Sequence, residues 1–237
     1  MTGVLCNQDS FTEDEHYALK TLGEERFIPA QAVVLARGLS LTADTKEIRY
    51  PRTLLSRYAR RNKRGVADWR LVYTCGLCLE ETGVAGRQIS QHKLKVVEPI
   101  LFEFSSICQG TAGFEGVFRI CFAPGYYLLN FNLRPYIRKR WTRQEGKINR
   151  HYQVFARPCE ALVAEALDNI YKVTGKRVLE NRFHWGPTAD TAGSHCCVGY
   201  QGRKLILHSL FDFAYSGSVG VVVVRRPCPR VDEELNL

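Results

Sequence analysis

The chain has 237 residues, of which 45% are hydrophobic and 24% are charged, and its formal net charge at neutral pH is +9. This balance is typical of a folded globular protein, and it excludes a collagen-like rod or a chain that is disordered throughout. The length suffices for one large domain or two small ones with a hydrophobic core.

Three helices are predicted in the N-terminal quarter of the chain. Thr12 and Glu15 form a capping-box pattern for a first helix, expected over 12–22. A second helix is expected over 29–37 and a third over 51–64, because each of these segments begins with a proline and is followed by a glycine.

Strand patterns dominate the remainder, interrupted by one long helix. An apolar stripe at helical spacing predicts that helix between Pro158 and Gly175. The following segment, 181–203, is rich in Gly, Thr, Asn and His and is expected to be a long loop. Apolar alternation predicts strands over 68–74, 94–97, 100–107, 204–208 and 220–224, and a hairpin that joins 117–123 to 126–133.

This order of elements predicts an α+β fold, with N-terminal helices followed by a mostly antiparallel sheet on which one long amphipathic helix packs. We expect a helical N-terminal region over 1–65 with a basic helix at 51–64, an α+β domain over 66–230 and an acidic tail over 231–237. The alternative is one single domain.

The positive charge is concentrated in two short segments. The first basic window, residues 49–64, has seven basic residues and no acid, and the second basic window, residues 134–150, has seven basic residues and one acid. The windows carry a net charge of +13, whereas the rest of the chain carries −4. Such concentration attracts polyanions, although each window taken alone is also compatible with a solvated surface.

The first basic window is expected to present a row of guanidinium groups. Arg57, Arg60, Arg61 and Arg64 are spaced so that they share one face of a helix, and Tyr58 places an aromatic ring beside them. We expect the arginines to contact phosphates and the tyrosine to stack on bases.

The second basic window is expected to leave the sheet as a loop or strand extension. Arg138, Lys139, Arg140 and Arg143 surround Trp141, so cations for phosphates lie beside a ring for bases. Trp141 also fits two other roles, as a core anchor for the loop or as a wedge at a membrane interface.

Some of the nine cysteines are candidate metal ligands. Cys75 and Cys78 have the spacing of a zinc ligand pair, and His195 and Cys197 would complete a tetrahedral set if the fold brought them close. The alternative is that these cysteines are buried apolar residues, so we expect either no cofactor or one zinc ion.

The sequence excludes the common nucleotide-binding and metalloprotease motifs, since it contains no G-x4-G-K-[ST], G-x-G-x-x-G or H-E-x-x-H. We therefore expect a non-catalytic, intracellular nucleic-acid-binding protein, with single-stranded RNA favoured because aromatic residues interleave with the charge. The sequence has no basic, apolar leader and no long apolar run. It therefore predicts that the protein is not secreted and has no transmembrane helix.

Two other functions remain open at this stage. One is a virus-type matrix, accessory or adaptor protein that uses the basic windows to dock on anionic membranes or acidic protein partners. The other is a zinc- or thiol-dependent enzyme, which requires a base or cation in contact with a cysteine. A homo-oligomer is left open for each of these functions.

Overall fold

A computed structural model of the chain describes residues 8–39, 47–77, 79–81, 100–104, 122–189, 193–213 and 216–227. Within these ranges the fold is mixed α and β, as predicted, with five α-helices and two mixed β-sheets. The helices are α1 (Glu13–Leu22), α2 (Ala30–Ala36), α3 (Arg52–Lys63), α4 (Trp141–Asn149) and α5 (Glu160–Thr174).

The helix boundaries follow local signals in the sequence. The Thr12 side chain accepts a hydrogen bond from the Glu15 amide while the Glu15 carboxylate accepts one from the Thr12 amide, so the predicted capping box begins α1. Helix α5 ends at Gly175, which adopts the left-handed conformation that glycine favours.

The first sheet has the strand order β1-β2-β5-β11-β6. Strands β1 and β2 are parallel, and the three other pairs are antiparallel. Its strands are β1 (Phe27–Ile28), β2 (Trp69–Thr74), β5 (Gly125–Asn130), β6 (Phe155–Ala156) and β11 (Val223–Arg225).

The second sheet has the order β10-β7-β8-β9-β4-β3. Strands β7, β8 and β9 form an antiparallel meander, and the outer strands are added in parallel. Its strands are β3 (Leu79–Glu81), β4 (Ile100–Phe104), β7 (Arg182–Ala189), β8 (Ser194–Gln201), β9 (Lys204–Phe211) and β10 (Val219–Gly220).

Helix α5 joins the two sheets through one hydrophobic core. It packs against β2 of the first sheet and β8 of the second, and most of its residues are buried. The same core includes Ala18 of α1, Val33 of α2 and Leu55 of α3, so the N-terminal helices pack on the body formed by the sheets.

Two of the predictions for the second half of the chain are wrong. The segment 181–203, expected to be a loop, contains β7 and β8. Its polar composition suggested a loop, but Trp185, Cys197 and Val198 are buried on these paired strands. The single strand expected over 220–224 is divided between β10 and β11, which lie in different sheets.

Several expected segments lie wholly or largely outside the described residues. They are the strand at 94–97, the first strand of the hairpin at 117–123 and the tail at 231–237. The second strand of that hairpin is β5, whose neighbours are β2 and β11. No helix within the described ranges is both long enough and apolar enough to cross a membrane.

His184 forms hydrogen bonds to two segments, one of which connects β10 of the second sheet to β11 of the first. It is fully buried, and its Nδ1 accepts a hydrogen bond of 3.1 Å from the amide of Val222, between β10 and β11. Its Nε2 lies 3.1 Å from the Pro158 carbonyl, to which it donates when the ring is neutral. Burial, assisted by Arg157, lowers the pKa of His184 to about 3.

Acidification should therefore destabilise the fold before most carboxylates titrate. Between the ordinary histidine pKa of about 6.5 and the lowered value in the folded protein, the unfolded chain binds a proton that the folded protein does not. We expect the free energy of unfolding, measured in urea, to fall as the pH is lowered from about 7 to about 5.5. In H184N the free energy of unfolding should be lower at every pH, but it should change less between about pH 7 and about pH 5.5.

The matched control is H16Q, since His16 is exposed on α1. This variant should keep the pH dependence of the wild type. An H184N curve as steep as that of the wild type would contradict the assignment.

Candidate functional site

Helix α3 exposes the arginines of the first basic window. Its buried side packs through residues that include Leu55 and Asn62, while the arginines lie on the opposite side of the helix. Each of the predicted residues Arg57, Arg60, Arg61 and Arg64 is exposed.

Tyr58, expected to stack on a ligand, is instead a core residue. It is only 4% exposed, and its ring stacks on Trp69 with centroids 4.2 Å apart. Burial raises the pKa of its hydroxyl, and nearby Arg225, Arg61 and Arg57 oppose that rise. Tyr58 thus holds α3 on the sheet and has an arginine-rich surface beside its hydroxyl, but its ring is not accessible to a base.

The second basic window forms a turn followed by helix α4, which corrects the expectation of a loop or strand extension. The helix was hidden because only Gln144 and Ile148 of α4 are buried, so its apolar stripe is very short. The Gln144 amide donates to the carbonyls of Tyr136 and Lys139, and thereby ties the turn to the helix.

The Trp141 side chain also makes several contacts within the protein. Its indole nitrogen donates to the Gly186 carbonyl at 3.1 Å, the His195 ring stacks on it at 4.2 Å, and the Arg157 guanidinium lies 4.5 Å from its centroid. The side chain therefore anchors the N-terminus of α4 to the second sheet, which was the alternative role expected for it.

The two basic windows, far apart in sequence, meet in space. The Asn132 side chain donates to the Val66 carbonyl at 3.0 Å and accepts from the Arg134 amide at 3.1 Å. Val66 lies two residues after the first window and Asn132 lies two residues before the second, so the end of one window is adjacent to the start of the other. A second junction is a chain of aromatic rings, in which Phe155 packs against Trp69 at 5.8 Å and against His151 at 6.4 Å.

Among the described residues, few carboxylates form ion pairs with the cations of the two windows. Of the first window, Arg49 and Arg52 form ion pairs, and the acid of the second window, Glu145, pairs with the largely buried Arg157. Twelve cations of the windows have no ion-pair partner within the described ranges, and we call them the cationic face: Arg57, Arg60, Arg61, Lys63, Arg64, Arg134, Arg138, Lys139, Arg140, Arg143, Lys147 and Arg150.

Part of the cationic face is a tight cluster of like charges. The ammonium groups of Lys139 and Lys147 both donate to the Pro135 carbonyl, at 2.9 and 3.1 Å. Partial burial lowers the pKa of Lys147, and the charges of Lys139 and Arg150 lower it further. Like charges held this close create a local positive potential that a bound anion would relieve.

Two exposed phenylalanines, which the sequence analysis missed, lie beside the cationic face. Phe211 is 45% exposed and Phe213 is 63% exposed, and their rings stack at 5.2 Å with planes 13° apart. We call them the aromatic pair. The signal in the sequence is the repeat Phe-Asp-Phe, of which Phe211 ends β9 while Asp212 and Phe213 lie in the turn that follows.

Two of the other exposed large hydrophobic residues also lie next to a basic window. Besides the aromatic pair, this group within the described ranges consists of Leu35, Val66 and Tyr152. Val66 lies at the junction of the windows, and Tyr152, 62% exposed, accepts from the Arg226 guanidinium through its carbonyl. Only Leu35 lies away from the windows.

The predicted metal ligands are not brought together as far as the structure describes them. Cys75 follows β2 of the first sheet, whereas His195 and Cys197 lie on β8 of the second, and Cys78 lies outside the described residues. Among the described residues, no three His, Cys, Asp or Glu side chains form a group that could hold a metal ion.

The surroundings of Cys75 favour a protonated thiol. The amides of Cys75 and Leu77 both donate to the buried carboxylate of Glu165. Burial, with the added repulsion of that carboxylate, raises the pKa of Cys75 to about 12. A reactive cysteine requires the opposite shift, so these surroundings do not activate Cys75 as a nucleophile.

The chain matches no protein-family model, no curated protein and no solved structure.

The proximity of Lys139 to Lys147 predicts a change in amine reactivity. In K139Q the pKa of Lys147 should rise, so that less of its amine is deprotonated at about pH 8.5. We expect acetylation of Lys147, followed by peptide mass spectrometry, to be slower in K139Q than in the wild type. The control K20Q removes an exposed lysine of α1 and should leave the rate unchanged; equal rates in both variants would contradict the cluster.

Proposed function

We propose that this protein binds nucleic acid, and that the cationic face holds its phosphates. The observation that carries the proposal is the meeting of the two windows through Asn132 and Val66, without neutralising carboxylates within the described ranges. Nine of the twelve cations are arginines, whose forked donors match phosphate oxygens. A nucleic acid supplies a line of phosphates long enough to contact cations from both windows.

The distribution of apolar side chains favours a nucleic acid over a membrane surface. Binding in a membrane interface uses an apolar face that is grouped so that it can enter the bilayer together. Here the exposed hydrophobic side chains near the windows belong to separate segments: Val66 follows the first window, Tyr152 follows the second, and the aromatic pair ends β9. Isolated rings beside cations suit a polymer that carries both phosphates and bases.

RNA is the ligand that we propose to test first. The sequence has no recognisable helix-turn-helix or zinc-finger pattern for reading a DNA groove, and the proposed contacts are to phosphates. We propose that the protein acts by binding and does not catalyse a reaction.

The double variant R57A/R61A tests the proposal. Each phosphate contact to a single strand contributes about 0.7 to the slope of log affinity against log salt, so the loss of two contacts should make the slope shallower by about 1.4. We also expect the affinity for an oligouridine, measured by fluorescence anisotropy at about 50 mM salt, to fall about 10-fold or more.

The matched control is R182A/R203A, which removes two exposed arginines outside both windows. Its affinity and salt slope should equal those of the wild type. If R57A/R61A and the control bind alike, the first window does not hold phosphate. If the wild type floats with vesicles containing phosphatidylserine and binds no oligonucleotide, the surface docks on membranes and the proposal is wrong.

A further inference from the structure

We propose that the aromatic pair, Phe211 and Phe213, is a stacking platform for unpaired bases. This inference rests on the proposed function and assigns the part of the surface that would distinguish a single strand from a duplex. Sequence reasoning gave that role to Tyr58 and Trp141, whose rings are both engaged by the protein's own side chains.

The aromatic pair takes no part in the hydrophobic clusters formed by the described residues. Phe183 and Leu210 pack on the small cluster around Trp185, but neither member of the pair belongs to any core cluster. Their rings are nonetheless ordered against each other, nearly parallel at 5.2 Å. A stacked, exposed ring pair presents the apolar face on which a planar base packs.

The chain positions cations directly beside this pair. The Trp141 amide donates to the Asp212 carbonyl at 3.0 Å, and the Arg138 amide donates to the Ser216 carbonyl at 2.9 Å. These two bonds hold the start of α4 against the turn that carries the rings. The exposed Arg138 and Arg140 of the cationic face are thereby fixed next to the aromatic pair.

The backbone of Arg138 adopts a conformation that is unfavourable for an arginine. Its φ of 55° lies in the left-handed region, which costs an arginine more than a glycine. The guanidinium also lies near this turn, since a Cβ added to Gly217 would contact the Arg138 Nε at 3.8 Å. A phosphate bound by Arg138 or Arg140 would therefore leave the adjoining base within reach of the rings.

Stacking on the aromatic pair requires a base that is not already stacked within a duplex. The cationic face can contact the phosphates of either form, whereas the rings add affinity only for a strand with unpaired bases. Removal of the aromatic pair should therefore abolish the preference for single strands over duplexes while leaving the affinity for phosphates unchanged.

The test compares F211A/F213A with the wild type on three probes of equal length: oligothymidine, an abasic strand and a duplex. Base stacking on an aromatic residue is worth enough that we expect the affinity for oligothymidine to fall about 10-fold or more. The affinities for the abasic strand and for the duplex should change less than about 2-fold, and the salt slope should stay the same.

The matched control is L35A, which removes the exposed hydrophobic side chain that lies away from the windows and should leave all three affinities unchanged. F213W, which keeps an aromatic face at the more exposed position, should retain tight binding of oligothymidine even if F211A/F213A fails to fold. The single variant F213A should then show the loss.

Each failure has a distinct signature. If the wild type binds with a steep salt dependence but F213A and F211A/F213A bind oligothymidine as well as L35A does, the platform is wrong and the phosphate surface stands. An equal loss on oligothymidine and on the abasic strand also overturns the platform. If the wild type binds neither oligouridine nor any of these three probes, the proposed function itself fails.

Discussion

Cations of like charge repel one another, so a fold that brings two basic segments together has to hold them by other contacts. Here the end of the first basic window lies against the start of the second, and twelve cations of the two windows have no ion-pair partner within the described ranges. The pKa of Lys147 is lowered first by partial burial and then by repulsion from Lys139 and Arg150. A surface of this kind is held in place by the neutral structure beneath it, and the charge it concentrates is available to an anion from outside.

The structure beneath the cationic face is aromatic and amide-rich. Tyr58, Trp69 and Phe155 form a stack that fixes α3 to the first sheet, and Gln144 fixes the turn before α4 by two carbonyl contacts. Trp141 connects α4 to the second sheet. The rings that the sequence suggested for ligand stacking therefore help to position the charges, and among the described residues the exposed rings are those of Tyr152, Phe211 and Phe213.

The sequence predicted elements whose signals are local, and missed those decided by tertiary contacts. The capping box of Thr12, the glycine after α5 and the helical spacing of Arg57 to Arg64 need only neighbouring residues, and each appears as expected. Strands β7 and β8 were missed because buried Gly186 and Gly199 occupy positions where a Cβ would collide with Glu160 or with the Arg182 backbone, a requirement that no local pattern reveals. Exposure of Phe211 and burial of Tyr58 likewise depend on partners far away in sequence.

Electrostatic coupling between the two windows can be measured without any ligand. The free energy of unfolding of R64E, R134E and the combined variant, at about 20 mM and about 300 mM NaCl, forms a double-mutant cycle across the junction. Adjacent windows predict that the combined variant is less stable at low salt than the sum of the single changes, because two neighbouring glutamates repel again. High salt should reduce this deficit. Additive effects at both salt concentrations would show that the windows do not share one surface.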